Sequence, residues 1–269
     1  MKLKQAINKY LDYIKIYRSN GTYRFYKGRL SRFFSYCNNE NITLKQSINK
    51  VYDYVYMLKE TNKNSSVNKD LISINQLFKY YNINQRFELF KNDSVRFKSF
   101  TTNELAKIMN YLKHLNIENQ LIITLLLETG IRINELLNIK IKNINLKDKT
   151  ILLTTTKNNK NRYVFYSKLT QSNLEKYIKT VGSNELLFSF TYSKVNGLFR
   201  RLRKLLNIKN LNAHMFRHYF ATTLLKYGVD IYAVSLLLGH SSIKTTVKYL
   251  HYDFNDLKCF YEKIEPYIS

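Results

Sequence analysis

Acidic residues are scarce in this chain. Only 19 Asp and Glu stand against 44 Lys and Arg, a formal net charge of +25 over 269 residues. The imbalance is spread evenly: residues 1–100 hold 19 basic and 7 acidic side chains, and residues 101–269 hold 25 and 12. The excess is therefore not a basic tail on a neutral body, and a chain that is basic throughout suits a long polyanion, most often nucleic acid. Cysteine is equally sparse. Cys37 and Cys259 are two and far apart, which excludes a disulfide framework and leads us to expect free thiols in a reducing cytoplasm. Long hydrophobic runs are missing. The densest, Leu121 to Leu127, falls well short of the roughly 20 apolar residues of a membrane span, and no apolar run follows Met1-Lys2-Leu3-Lys4-Gln5 to suggest a secretory signal. No proline precedes Pro266, and there is no repeat or low-complexity segment.

What is present is ordinary globular composition, 45% apolar, arranged in helical stripes. Ala6, Tyr10, Leu11, Ile14 and Tyr17 recur at three- and four-residue steps, and Ser19-Asn20-Gly21-Thr22 breaks the pattern. Phe25, Leu30, Phe33 and Phe34 form a second stripe, and Ile48, Val51, Val55 and Leu58 a third. Val67, Leu71, Ile74, Leu77, Phe78 and Tyr81 form a fourth, with Ser65 or Ser66 as the expected N-cap. The intervening basic face, Lys15, Arg18, Arg24, Lys27, Arg29 and Arg32, suits a phosphate track. Periodicity is lost over residues 86–98. The organisation expected is a helical DNA-binding domain over 1–92, a linker over 93–100 and a second domain over 101–269.

The second domain opens with Thr101 and Glu104, the spacing of a capping box. A buried helix is expected over 118–129, ending at Gly130, and a short helix over Ile133 to Leu137. Two β-branched apolar stretches, Thr150 to Thr155 and Arg162 to Tyr166, flank the polar cluster Lys157-Asn158-Asn159-Lys160-Asn161 and read as a β-hairpin with basic residues at its tip. Helices fill most of 168–265. The fold class expected is mainly α with a small antiparallel β-sheet in the second domain.

Chemistry concentrates in two segments. Thr129-Gly130-Ile131-Arg132-Ile133-Asn134-Glu135 places Arg132 after a glycine turn at a helix start, with Glu135 one turn on and able to orient its guanidinium. His214-Met215-Phe216-Arg217-His218 opens a helix-periodic run with His214 and Arg217 on one face. Leu238-Gly239-His240 and then Tyr249 follow at short spacing. Together these supply a phosphate clamp, groups that move protons, and a hydroxyl nucleophile. Acidic residues are too sparse around them for a carboxylate-held Mg²⁺ site, and the histidines lack zinc-ligand spacing, so neither a metal nor another cofactor is expected.

In this combination the chain resembles the tyrosine recombinases, the phage-integrase and Xer-type enzymes. Their pattern is an Arg in a Thr-Gly-x-Arg-x-x-Glu-Leu segment, a Lys on a β-hairpin, then His-x-Leu-Arg-His, Leu-Gly-His, and a Tyr about nine residues on. Here Arg132, Lys157, His214 with Arg217, His240 and Tyr249 occur in that order. Phe216 replaces the usual Leu, and Lys157 sits in Thr-Lys-Asn rather than Gly-Lys-Gly, with Lys160 as the fallback.

The resemblance covers 101–269, and the N-terminal unit is similar to the family's core-binding domain in size, helicity and position. It implies that Arg132, Arg217 and His240 hold the scissile phosphate, and that Tyr249 attacks it while His214 accepts the proton. Lys157 would protonate the leaving 5′-oxygen, with Glu135 and His218 in supporting positions. A phenol ionises at about 10, and nearby guanidinium groups favour the phenolate. Tyr252, three residues past Tyr249, is the alternative nucleophile. The resemblance further implies double-stranded DNA at specific sites as partner, a dimer on one site and a homo-tetramer on paired sites, and an accessory protein as an added partner. It implies a Holliday junction, and a C-terminal helix over 253–265 docking on a neighbouring protomer. We expect no membrane partner, and action in the cytoplasm at the nucleoid. Two other readings stay open: a non-catalytic DNA-binding regulator on this fold, and a topoisomerase IB-like relaxing enzyme.

Overall fold

The computed structural model describes residues 1–38, 41–91, 99–154, 161–182 and 185–250. The chain divides into two compact units, Met1–Val95 and Arg96–Ser269.

Among its described residues the first unit holds four helices, α1 (Leu3–Tyr17), α2 (Asn20–Cys37), α3 (Ser47–Thr61) and α4 (Asn64–Tyr80). The expected stripes form its core: Ala6, Tyr10, Leu11, Ile14, Leu30, Phe33, Val51, Leu58, Val67, Leu71, Ile74, Leu77 and Phe78 are buried together. Two stripe residues depart: Phe25 is half-buried and not part of this core, and Tyr17 is 67% exposed because α1 ends there. The break after it is a cap, with the Ser19 side chain accepting from the Thr22 N–H. The N-cap expectation for α4 is corrected. The helix starts earlier, Lys63 is the N-cap with no side-chain capping bond, and Ser65 and Ser66 lie inside the first turn. Arg29 and Arg32 of the basic face turn toward the buried Asp70, at 2.7 and 3.6 Å, and Tyr54 donates to the same carboxylate. Aperiodic residues beyond α4 are bound back to it. The side-chain amides of Asn75 and Asn68 each exchange a donor and an acceptor with the backbone of Phe87 and Phe90, as a neighbouring strand would.

The second unit begins with α5 (Thr102–Leu112), capped by the reciprocal bonds of Thr101 and Glu104. Next comes α6 (Ile117–Thr129), apolar on nearly all sides and central to the core. It ends at Gly130, whose φ of +59° suits a glycine, and a side chain there would meet Phe220 of a neighbouring helix at 2.6 Å. Then follow α7 (Ile133–Leu137) and a three-stranded antiparallel sheet in the order β1 (Ile144–Asn145), β2 (Thr150–Leu153), β3 (Arg162–Phe165). The sequence indicated β2 and β3 but not the two-residue β1, which is too short to show alternation. Ile151 pairs with Val164 and Leu153 with Arg162. The hairpin tip, with Lys157 and Lys160, lies outside the described residues.

Five helices complete the described part: α8 (Lys168–Val181), α9 (Tyr192–Leu206), α10 (Ala213–Lys226), α11 (Ile231–Leu238) and α12 (Lys244–Val247). Helix α10 lies against α6 and α11. Among the described residues no helix is long and apolar enough to cross a membrane.

Candidate active site

The site is assembled around the C-terminal end of α11. The last carbonyls of a helix have no partner within it and carry the negative end of the helix dipole. Here three in succession, those of Leu237, Leu238 and Gly239, accept from three arginines on three different elements. Gly239 permits this turn through its left-handed φ of +63°.

Arg217 approaches from α10. It shares a buried stripe with Ala221 and Leu225, spaced by four residues, so helical geometry drives its charge into the interior. It is 4% exposed. One Nη donates to the Gly130 carbonyl at 2.7 Å and the other to the Leu238 carbonyl at 2.6 Å. Burial, and then the charge of Arg132, lower its pKa to about 10, so it stays cationic at neutral pH. Two of its five N–H donors are used in this way, which leaves donors for a ligand.

Arg132 is the N-cap of α7. Its backbone N–H donates to Glu135 Oε2 at 2.8 Å, and its Nη1 to Glu135 Oε1 at 3.1 Å and to the Leu238 carbonyl at 3.4 Å. Nη2 donates to the Gly239 carbonyl at 3.3 Å. Glu135 thus orients the guanidinium, as the spacing in the sequence suggested. The Arg132 side chain remains 42% exposed, open to an incoming anion. Burial raises the Glu135 pKa, but hydrogen bonds and charge from Arg162 and Arg132 outweigh it and hold the carboxyl at about 2.

His240 follows the turn after α11. Its Nδ1 lies 2.7 Å from the hydroxyl of the buried Thr246. Burial, then Arg217, Arg132 and Arg162, push its pKa down to about 4. The ring is neutral at pH 7, and the tautomer that could donate from Nε2 to a phosphate is the one in which Nδ1 accepts from the Thr246 hydroxyl. Tyr249 is buried at 8% exposure among Ala221, Leu225, Val234 and Leu238. Its ring lies parallel to that of His240 at 6.1 Å between centroids, and edge-on to His218 at 4.9 Å.

The structure therefore brings together Arg132, Glu135, Arg217, His218, His240 and Tyr249. His214 is exposed in the first turn of α10. Burial, then the neighbouring His214 and Arg217, push the His218 pKa down to about 4. The histidine ring packed on Tyr249 is that of His218. Tyr252 and Lys157 lie outside the described residues.

Two contributors were not singled out from the sequence. Thr246 is six residues from His240, a pairing set by a turn rather than by a periodic pattern. Arg162 was read only as a strand residue. Its signal was parity, since period two puts it on the inward face with Val164, an unusual place for a cation.

Three cationic or hydrogen-bonding groups beside a buried tyrosine are the kind of arrangement that can stabilise phosphoryl transfer to a phenol. Residues 98–256 match the phage integrase family, and residues 7–82 match the phage integrase N-terminal SAM-like domain. Tyrosine recombinase XerA of Saccharolobus solfataricus is 35% identical over 205 residues, 76% of this chain and 69% of that protein. Tyrosine recombinase XerC of Leptospira interrogans is 29% identical over 98% of this chain and 94% of its own length. The Tn1549 transposon integrase, solved in complex with circular intermediate DNA, shares the fold, with a TM-score of 0.79 at 18% identity over 98% of this chain and 100% of that one. The chain belongs to the phage integrase family of tyrosine recombinases and is a site-specific DNA recombinase.

Proposed function

We propose that Tyr249 is the nucleophile of a strand-exchange reaction on double-stranded DNA. Its hydroxyl oxygen attacks the scissile phosphorus, and its proton passes to His214. Arg132 and Arg217 stabilise the charge on the non-bridging oxygens, and His240 Nε2 donates a third hydrogen bond. The phosphorus–5′-oxygen bond breaks, and Lys157, with Lys160 as fallback, protonates the departing oxygen. This leaves a 3′-phosphotyrosyl ester and a free 5′-hydroxyl. A 5′-hydroxyl from a second duplex then attacks the ester, expels the tyrosine and takes the phosphoryl group. The ester conserves the bond energy, so no nucleotide is consumed.

The observation that carries this reading is the meeting of Arg132 and Arg217 at the Leu238 carbonyl, beside His240 and the buried Tyr249. Arginine suits the task because its planar fork can meet two phosphate oxygens and stays charged. Glu135 and His218 support it, the first by holding Arg132 and the second by seating the Tyr249 ring.

The wider assembly follows the same reading. Residues 1–92 grip DNA, 93–100 link, and 101–269 catalyse. Two protomers occupy one site, and four join two sites through a Holliday junction, with an accessory protein as a further partner. The segment 253–265 docks on a neighbouring protomer. A cavity of about 190 Å³ lined by Glu128, Thr129, Val164, Phe165, Phe220, Leu224 and Leu237 would accept one of its large side chains, Leu257, Phe260, Tyr261 or Ile264. The reaction takes place in the cytoplasm, at the nucleoid.

A plasmid bearing two copies of a site drawn from DNA flanking the gene tests this directly, in EDTA and without nucleotide. Deletion or inversion of the intervening segment is expected. Relaxation without exchange would favour a topoisomerase-like activity, and binding alone a regulator.

A further inference from the structure

We infer that Arg162 is a positioning residue for this reaction: by neutralising Glu135 it frees the charge of Arg132 for the scissile phosphate. The inference rests on the functional reading above and assigns a role to a residue outside the family's Arg, Lys, His, Arg, His and Tyr set.

A carboxylate beside a phosphate-binding arginine presents a conflict. Glu135 must hold Arg132 in place, yet its negative charge competes with the phosphate for the same guanidinium. The geometry resolves this. Arg162 Nη1 donates to Glu135 Oε1 at 2.9 Å and Nη2 to Oε2 at 2.8 Å, a two-pronged pair. Each carboxylate oxygen therefore accepts once from Arg162 and once from Arg132. The Arg162 and Glu135 side chains are both 10% exposed, whereas that of Arg132 is 42% exposed. The carboxylate is thus committed to the inner arginine in a setting with little solvent screening, and its hold on the outer one becomes mainly orientational. Across Arg132, Arg162, Arg217 and Glu135 the formal charge is +2, and without Arg162 it is +1.

Arg162 also anchors the turn. Its Nε donates to the Leu237 carbonyl at 2.8 Å, immediately before the carbonyls that receive Arg217 and Arg132. A Cβ on Gly239 would lie 2.6 Å from Arg162 Nη1, so the guanidinium is seated against the backbone that leads to His240. From the first residue of β3 one side chain meets both α7 and the end of α11.

The experiment compares wild type, Arg162→Gln, Glu135→Gln and the double variant, each shown to be folded by thermal unfolding. The first readout is the rate of covalent-complex formation on saturating nicked duplex. Arg162→Gln is expected to be at least about 30-fold slower, because an uncompensated Glu135 retains Arg132. The double variant should recover to within about 10-fold of wild type. A purely structural role for Arg162 would give no such recovery. A single variant as fast as wild type, or a double variant no faster than the single, overturns the inference while leaving Tyr249 chemistry intact.

The second readout is independent of cleavage. It is the ratio of binding affinities for duplex with and without the phosphate at the scissile position. Wild type should prefer the intact phosphate by about 10-fold, and Arg162→Gln should lose most of that preference. Equal preference in both proteins contradicts the inference even if wild type forms no covalent complex, an outcome that by itself would count only against the catalytic reading.

Discussion

Arg132 and Arg217 donate to one and the same oxygen, the Leu238 carbonyl, at 3.4 and 2.6 Å. Two like charges are drawn together by a helix end whose dipole and unpaired carbonyls favour cations. An anion seated between them would relieve the remaining repulsion.

Arg217 should prove both catalytic and structural. Arg217→Ala takes the buried donor from the Gly130 carbonyl, at about 1–3 kcal/mol for a group left unsatisfied, and leaves the Leu238 carbonyl with only the longer bond from Arg132. We expect a melting temperature lower by several degrees and no detectable cleavage. Arg217→Lys should retain most of the stability, since one ammonium can satisfy a carbonyl, yet lose roughly 100-fold or more in cleavage for want of the planar fork. Melting curves and covalent-complex rates separate the two effects. A lysine variant that cleaves at the wild-type rate would contradict the clamp.

Thr246 should matter through His240. Thr246→Val removes the hydroxyl that meets Nδ1 at 2.7 Å while preserving shape. We expect about a 10-fold loss in cleavage, typical of a lost orienting partner, with Thr246→Ser close to wild type. Equal rates for the valine and serine variants would show that the hydroxyl does not set the tautomer.

Gly130→Ala should destabilise by about 1–3 kcal/mol for the left-handed backbone alone, and by more because the new methyl meets Phe220 at 2.6 Å. Chemical denaturation measures this. Since the Gly130 carbonyl holds Arg217, cleavage by the folded fraction should fall as well. A neutral substitution would mean that α6 and α10 can separate freely.

Stability should decline as pH falls from about 6.5 toward 4. His218 and His240 have folded pKa values of about 4, below the usual value of about 6.5 for the unfolded chain. Between those limits the unfolded state binds more protons, so acid favours unfolding by up to about 1.4 kcal/mol per pH unit for each histidine, less where solvent screens these half-buried rings. Glu135 acts in a lower window. Its carboxyl is depressed to about 2, so its contribution is present above the unfolded value of about 4.3 and is lost as pH falls through 2. Melting temperature against pH gives the slope, and His240→Gln should flatten it between 6.5 and 4. An unchanged slope in that variant would remove His240 as its source.

Local signals carried much of the fold into the sequence. The Thr101 and Glu104 pair marks the start of α5, and Gly130 marks the end of α6, because caps and glycine turns act over a few residues. The ends of α7 were legible for the same reason. The N-cap of α4 was not, since Lys63 caps without a side-chain bond and leaves no mark. In the site, Arg132 and Glu135 could be paired from their spacing. The packing of His218 rather than His214 on Tyr249, the Arg162 pair with Glu135 and the Thr246 contact to His240 depend on how α7, β3, α10 and the segment after α11 converge, which no short-range pattern encodes.

The most direct test of the chemistry uses nicked duplex carrying the flanking-DNA site, mixed with protein in EDTA, denatured in SDS and resolved on a gel. Wild type should give a protein–DNA band stable to SDS, with peptide mapping placing the DNA on Tyr249, and Tyr249→Phe should bind the duplex but give no band. An equal band from Tyr249→Phe would contradict the assignment of Tyr249 as the nucleophile.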